Sequence, residues 1–166
     1  MDPEQNVRTD GSRTSPILLV EDDETDVLLL RNAFRNARVA NPLIEVSDGH
    51  AAIQYLSGAG AYEDRTRYPP PFLMLLDLRL PKLSGFEVLA WIRDQTALAE
   101  LIVVVLTGSD YIPDATRASE LGANSYFVKP ASFKELVETI KEIIARWLVR
   151  ERPLGEPASM QGTRFA

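Results

Sequence analysis

Phe72-Leu73-Met74-Leu75-Leu76-Asp77 decides how this chain is read: five consecutive apolar residues that stop on one carboxylate. A strand buried on both faces reads as a continuous apolar run, and such strands belong to parallel sheets covered by helices on each side. Three further runs have the same form. Ile17-Leu18-Leu19-Val20 runs into Glu21, Asp22 and Asp23; Leu101 to Leu106 ends at Thr107; Ser125 to Val128 ends at Lys129-Pro130. In a parallel sheet all carboxyl ends lie along one edge, the edge where ligands bind. The pattern therefore predicts acids, one Asp, one hydroxyl and one ammonium on a single rim.

Helical stripes fill the intervals. Thr25 to about Ala37 carries a helical apolar stripe, and Gly49 to Ser57 is a short helix rich in apolar residues. Ser84 to about Arg93 is a helix opened by a capping form, and about Pro113 to Leu121 has Pro in its first turn and Gly122 just past its end. Phe133 to Leu148 carries apolar residues at i, i+3, i+4 spacing. Leu43–Val46 is a short further strand. Ser84-Gly85-Phe86-Glu87 and Ser132-Phe133-Lys134-Glu135 have capping-box form. Five strands alternating with five helices imply an α/β domain with right-handed crossovers. Gly58 to Pro71 is a long Gly-, charge- and Pro-rich connection read as a loop. Residues 1–15 read as a disordered N-terminal segment, 16–149 as the folded domain and 150–166 as a flexible C-terminal tail.

Composition narrows the function classes. The 166 residues carry a formal net charge of -6, which argues against a nucleic-acid partner. There is no cysteine and a single histidine, His50, so thiol catalysis and multi-His metal sites are excluded. His50 has no indicated acid partner and is expected on the surface. No stretch approaches the roughly 20 apolar residues of a membrane helix, and a cytoplasmic location is the expectation.

Glu21, Asp22, Asp23, Glu24 and Asp26 place five carboxylates in six positions. Acids are favourable at any helix N-terminus, and that alone would account for some of them. Asp77 packed beside two of them would be strongly repelled unless a cation intervened. An all-oxygen donor set suits a hard ion, and Mg2+ is the usual companion of phosphate oxygens. A carboxylate beside such an ion can act as a nucleophile toward phosphorus. Thr107 and Lys129 would supply the hydroxyl and ammonium that a phosphoryl group needs around its oxygens. Gly108 leaves the backbone open to phosphate.

Four motifs in order then carry a family resemblance: Leu18-Leu19-Val20-Glu21-Asp22-Asp23, Leu75-Leu76-Asp77-Leu78-Arg79-Leu80-Pro81 with Ser84-Gly85, Leu106-Thr107-Gly108, and Gly122-Ala123-Asn124-Ser125-Tyr126-Phe127-Val128-Lys129-Pro130. Together they resemble the response-regulator receiver domain of two-component signalling, also called CheY-like. The resemblance implies a single doubly wound, flavodoxin-like domain with a five-stranded parallel sheet of order 2-1-3-4-5. It implies a signalling phosphoacceptor rather than an enzyme acting on external substrates. By the same resemblance, Asp77 is the phosphoacceptor, Asp22 a direct Mg2+ ligand, Glu21 a ligand through water, and the Arg79 carbonyl the backbone ligand. Thr107 is the switch hydroxyl, Lys129 the phosphate-binding lysine, Tyr126 the aromatic switch, and the Lys129-Pro130 bond is cis. Arg79 and Ser109 fall at positions that tune dephosphorylation in the family. Asp23 has no assigned role.

The Gly58–Pro71 loop resembles a subgroup of small stand-alone regulators paired with bacterial phytochrome histidine kinases. The expected partner is thus a sensor histidine kinase of that kind. No second apolar pattern for an output domain is visible, so output would pass through partners or through a homodimer seam on the last helices, with Trp147, Leu148 and Val149 as candidates. Two other classes stay open at this stage. A receiver-like adaptor would take no phosphate, and the intact Asp77, Thr107 and Lys129 set argues against it. A haloacid-dehalogenase-like phosphatase or phosphotransferase would carry a second Asp two positions after the first, where this chain has Arg79.

Overall fold

The apolar runs pair as parallel strands. In the computed structural model, which describes residues 15–147, β1 (Ile17–Val20), β2 (Leu43–Val46), β3 (Leu73–Leu76), β4 (Ile102–Thr107) and β5 (Ser125–Val128) form one sheet. The spatial order is β2-β1-β3-β4-β5, as the resemblance implied. Helices α1 (Glu24–Asn36), α2 (Gly49–Ser57), α3 (Gly85–Asp94) and α4 (Ile112–Glu120) fill the four crossovers, and α5 (Phe133–Trp147) follows β5.

Successive strand residues point to opposite faces, so the sheet separates two cores. Leu18, Val20, Met74, Leu76, Val103 and Val105 pack with the buried faces of α2 and α3 and with Ala118 of α4. Ile17, Leu19, Leu73, Leu75, Val104 and Leu106 pack instead against Leu30, Ala33 and Phe34 of α1 and Leu136, Ile140, Ile143 and Trp147 of α5. Burial on both faces explains why β1 and β3 are apolar at every position. Full burial of such a side chain contributes about 1.5–3 kcal/mol.

Element ends follow from caps. Ser84 and Glu87 form the reciprocal capping box at α3, with Ser84 N donating to Glu87 Oε2 at 2.8 Å and Glu87 N to Ser84 Oγ at 3.3 Å. Ser132 Oγ likewise accepts from the Glu135 amide at 3.2 Å at the start of α5. Helix α4 begins one residue before Pro113, because Pro, lacking an N–H, fits the first turn without losing a hydrogen bond. Strand β4 extends through Thr107, one residue beyond its apolar run.

Three expectations change. The Gly58–Pro71 segment is not a featureless loop. It contains a 3-10 turn at Gly60–Tyr62, and Tyr62 and Tyr68 pack on Tyr55 with ring centroids 5.0 and 6.2 Å away. Tyr55 donates its hydroxyl to the Pro69 carbonyl at 2.8 Å, and Arg65 donates to the Tyr55 carbonyl at 2.7 Å. Trp147 is only 2 % exposed, which makes it core rather than seam. The Lys129-Pro130 bond is trans, not cis; trans is the lower-energy isomer for X-Pro by about 0.5–1 kcal/mol. His50 is exposed, as expected. Leu148, Val149, the C-terminal tail and all but the last residue of the N-terminal segment lie outside the described residues.

Candidate phosphoacceptor and metal site

The parallel register brings the strand ends together. Glu21 N donates to the Val46 carbonyl at 3.1 Å and Asp77 N to the Val20 carbonyl at 3.2 Å, so both acids leave the sheet at the same height. Lys129 N donates to the Thr107 carbonyl at 2.7 Å, which sets the lysine beside the end of β4. Gly85 fixes the rim from behind. A Cβ there would lie 2.3 Å from the Asp77 carbonyl oxygen and 2.7 Å from Leu78 Cα, so only glycine lets α3 approach the Asp77 backbone this closely.

The side chains then form one connected group. Thr107, fully buried, donates its hydroxyl to Asp77 Oδ1 at 2.8 Å. The Arg79 amide donates to the same oxygen at 3.2 Å. The Lys129 ammonium donates to Asp77 Oδ2 at 3.0 Å, to Glu21 Oε2 at 2.6 Å and to Asp26 Oδ2 at 2.8 Å. One carboxylate oxygen from each of Glu21, Asp22 and Asp77 lies within 4.8 Å of the other two. At that separation two carboxylates repel by about 3 kcal/mol at an effective dielectric near 20. The carboxylates form a charge-dense group beside the Lys129 ammonium, and their all-oxygen donor chemistry fits a hard divalent cation.

Electrostatics follow from burial. The Glu21 carboxyl is pushed up to about 7, first because burial penalises its charge. The hydrogen bonds from Lys129 and from the Asp23 amide oppose that rise, and the charge of Asp77 adds to it. For Lys129 burial acts in the opposite direction and would lower the ammonium. Its hydrogen bonds to Asp26 and Glu21, with the charges of Asp77 and Glu21, outweigh burial and hold it above the ordinary lysine range.

The sequence-derived residues are thus brought together, with two differences. Asp23 caps α1, accepting from the Asp26 amide at 2.9 Å, which accounts for the extra acid. Asp26 joins the Lys129 group, a contact not foreseen from the sequence. The available signal was its place three residues after a capping Asp, which sets it in the first turn of α1 at the rim.

Tyr126 stands apart from the carboxylates. Half-buried, it donates its hydroxyl to the Ser109 carbonyl at 2.7 Å. Burial raises its phenol first of all, and the hydrogen bond to Ser109 opposes that. The Ser109 hydroxyl donates to Asp114 Oδ2 at 2.6 Å in the first turn of α4. Thr107, the β4–α4 connection, Tyr126 and the start of α4 are therefore linked through two residues of backbone. Gly108, between them, has open space where a Cβ would stand.

The family model for the response regulator receiver domain matches residues 17–141. The chain is 39 % identical over 132 residues to response regulator Rcp1 of Synechocystis sp., covering 80 % of this chain and 88 % of that one. The phosphorylated cyanobacterial phytochrome response regulator RcpA superposes with a TM-score of 0.76 at 36 % identity, over 84 % of this chain and 98 % of the other. The Mn2+-bound form of Rcp1 superposes at 0.73 with 38 % identity, over 87 % and 99 % of the two chains.

Proposed function

The chain belongs to the response regulator receiver domain family, and on that premise we propose that it takes up a phosphoryl group on Asp77 in a Mg2+-dependent reaction and thereby changes its interaction surface. The observation that carries this is the Asp77 carboxylate itself. It is 7 % exposed at a strand end, and Thr107, Lys129 and the Arg79 amide are all hydrogen-bonded to it.

Asp22, Asp77 and the Arg79 carbonyl would hold the ion directly, with Glu21 through water. A bound Mg2+ supplies charge neutralisation for the phosphoryl oxygens. The remaining work falls to the chain's own groups. An Asp77 carboxylate oxygen attacks phosphorus as the bond to the donor breaks: the P–N bond of a phosphohistidine, or the P–O bond of acetyl phosphate. The leaving group keeps the electron pair, and an imidazole leaving group takes a proton from solvent. Lys129 offsets negative charge as the oxygens approach.

The product carries about -2 charge and three strong acceptors in place of one carboxylate. Thr107 then exchanges its bond to Asp77 Oδ1 for a phosphoryl oxygen. The Thr107–Ser109 backbone moves with it, and with Ser109 move the hydroxyl of Tyr126 and the Asp114 end of α4. Beside that end Tyr111 and Ile112 are 63 % and 78 % exposed, so a shift there changes an apolar surface. This is a population shift, and it requires only that phosphate favour one arrangement of the loop.

The donor we propose is a sensor histidine kinase, and similarity to the cyanobacterial phytochrome response regulator RcpA favours a bacterial phytochrome. The expected setting is the cytoplasm, without nucleic-acid contact; no helix of the described residues is long and apolar enough to cross a membrane. Self-association on the last helices would have to use surface other than Trp147. Incubation with acetyl phosphate and Mg2+ should give a single phosphorylated species, absent in Asp77→Asn and in excess EDTA. Mg2+-dependent phosphorylation retained in Asp77→Asn would reject the assignment.

A further inference from the structure

An ammonium has three N–H donors, and all three of Lys129 are engaged, on Glu21, Asp26 and Asp77. A phosphoryl oxygen can reach this ammonium only by displacing one of those acceptors. The three are not equal. Asp77 gives up its carboxylate charge when it is phosphorylated, so its bond to Lys129 is the first to pass to a phosphoryl oxygen. Of the two acceptors that stay charged, Glu21 has a side chain 2 % exposed, and stripping the ammonium from it leaves a buried carboxylate without its counter-charge. Asp26 is 36 % exposed, so water replaces the ammonium there at little cost.

Asp26 is also held in place independently of Lys129. Its amide donates to the Asp23 cap at 2.9 Å, which sets it in the first turn of α1 with the carboxylate on the rim. There it draws Lys129 toward α1 and adds a negative charge beside the position an anion would enter.

We propose that Asp26 is a positioning residue that competes with the phosphoryl group for Lys129 and so sets how favourable the phosphorylated state is. The inference rests on Asp77 being the phosphoacceptor. Without phosphate, Asp26 holds the third donor of Lys129. With phosphate, this donor joins the one that Asp77 releases on the phosphoryl oxygens, and Asp26 faces water. An Asn at this position keeps the shape and the cap but is a weaker, uncharged acceptor.

The test is the affinity for beryllofluoride with Mg2+ at fixed ionic strength, measured by isothermal titration on the full chain. Asp26→Asn should bind about fivefold tighter than wild type, the scale of a partly exposed ion pair. Glu24→Gln removes the same charge from the same helical turn but makes none of the three Lys129 bonds, and should shift affinity by less than twofold. Asp26→Glu, which keeps the charge, should stay near wild type. The inference is overturned if Asp26→Asn binds no tighter, if Glu24→Gln tightens binding equally, or if Asp26→Glu tightens it as much as Asp26→Asn. Failure of wild type to bind beryllofluoride at all, or retained binding in Asp77→Asn, would instead sink the phosphoacceptor reading.

Discussion

Replacing Lys129 by Met removes one ammonium from three carboxylates while keeping an unbranched side chain of similar length. Taking away one partner of a buried ion pair typically costs about 3–5 kcal/mol, because the remaining charge is left without compensation. Here Lys129 is 18 % and Asp26 36 % exposed, so water shares part of the loss and the lower end, about 3 kcal/mol at pH 8, is expected. The cost must depend on pH. Glu21, pushed up to about 7, is largely neutral at pH 5.5 and then needs no counter-charge. The loss at pH 5.5 should fall to roughly half. For a domain of this size the pH 8 value corresponds to a melting point lower by about 10 °C. Mg2+ should restore more stability to the variant than to wild type, since a cation held by Glu21, Asp22 and Asp77 offsets the same charges. Urea unfolding followed by circular dichroism, at both pH values with EDTA and with Mg2+, measures all three quantities. An equal loss at pH 5.5 and pH 8, or a loss below about 1 kcal/mol at pH 8, would refute the argument that this ammonium compensates buried carboxylates.

Other perturbations separate the parts of the site. The Glu21 carboxyl titrates near 7 in the folded chain against 4.5 in the unfolded one, so between these values the folded state holds the extra proton. Stability from this group is therefore present below pH 4.5 and lost as pH rises through 7, by at most about 3 kcal/mol. Glu21→Gln in EDTA should flatten that slope in pH-dependent denaturation; an unchanged slope would count against it. Gly85→Ala should cost about 1–3 kcal/mol and reduce phosphoryl uptake together, because the new Cβ strikes the Asp77 backbone. Wild-type values for both would show that α3 can yield there. Asp23→Ala removes the α1 cap and should cost about 1 kcal/mol equally with and without Mg2+. A loss confined to the Mg2+-loaded protein would make Asp23 a metal-site residue instead of a cap.

By itself the sequence determined the parallel sheet, because a strand covered on both faces must be apolar at every position, as β1 and β3 are. It also determined the gathering of Asp22, Asp77, Thr107 and Lys129, since parallel strands place all their carboxyl ends on one edge. What pairs with what on that edge was decided only in three dimensions. Asp26 and Lys129 are far apart in the chain, and their 2.8 Å contact depends on how α1 sits against the end of β5. The roles of Asp23 and Asp26 look alike in a run of acids; only the helix start divides them into a cap and an ammonium partner. The Gly58–Pro71 segment, read as loop from its Gly and Pro, is ordered by Tyr55, Tyr62 and Tyr68, whose packing leaves no periodic trace in the sequence. Periodicity records which side of an element meets the core. It does not record which side chains from separate elements come within hydrogen-bond reach, because tertiary packing sets those distances.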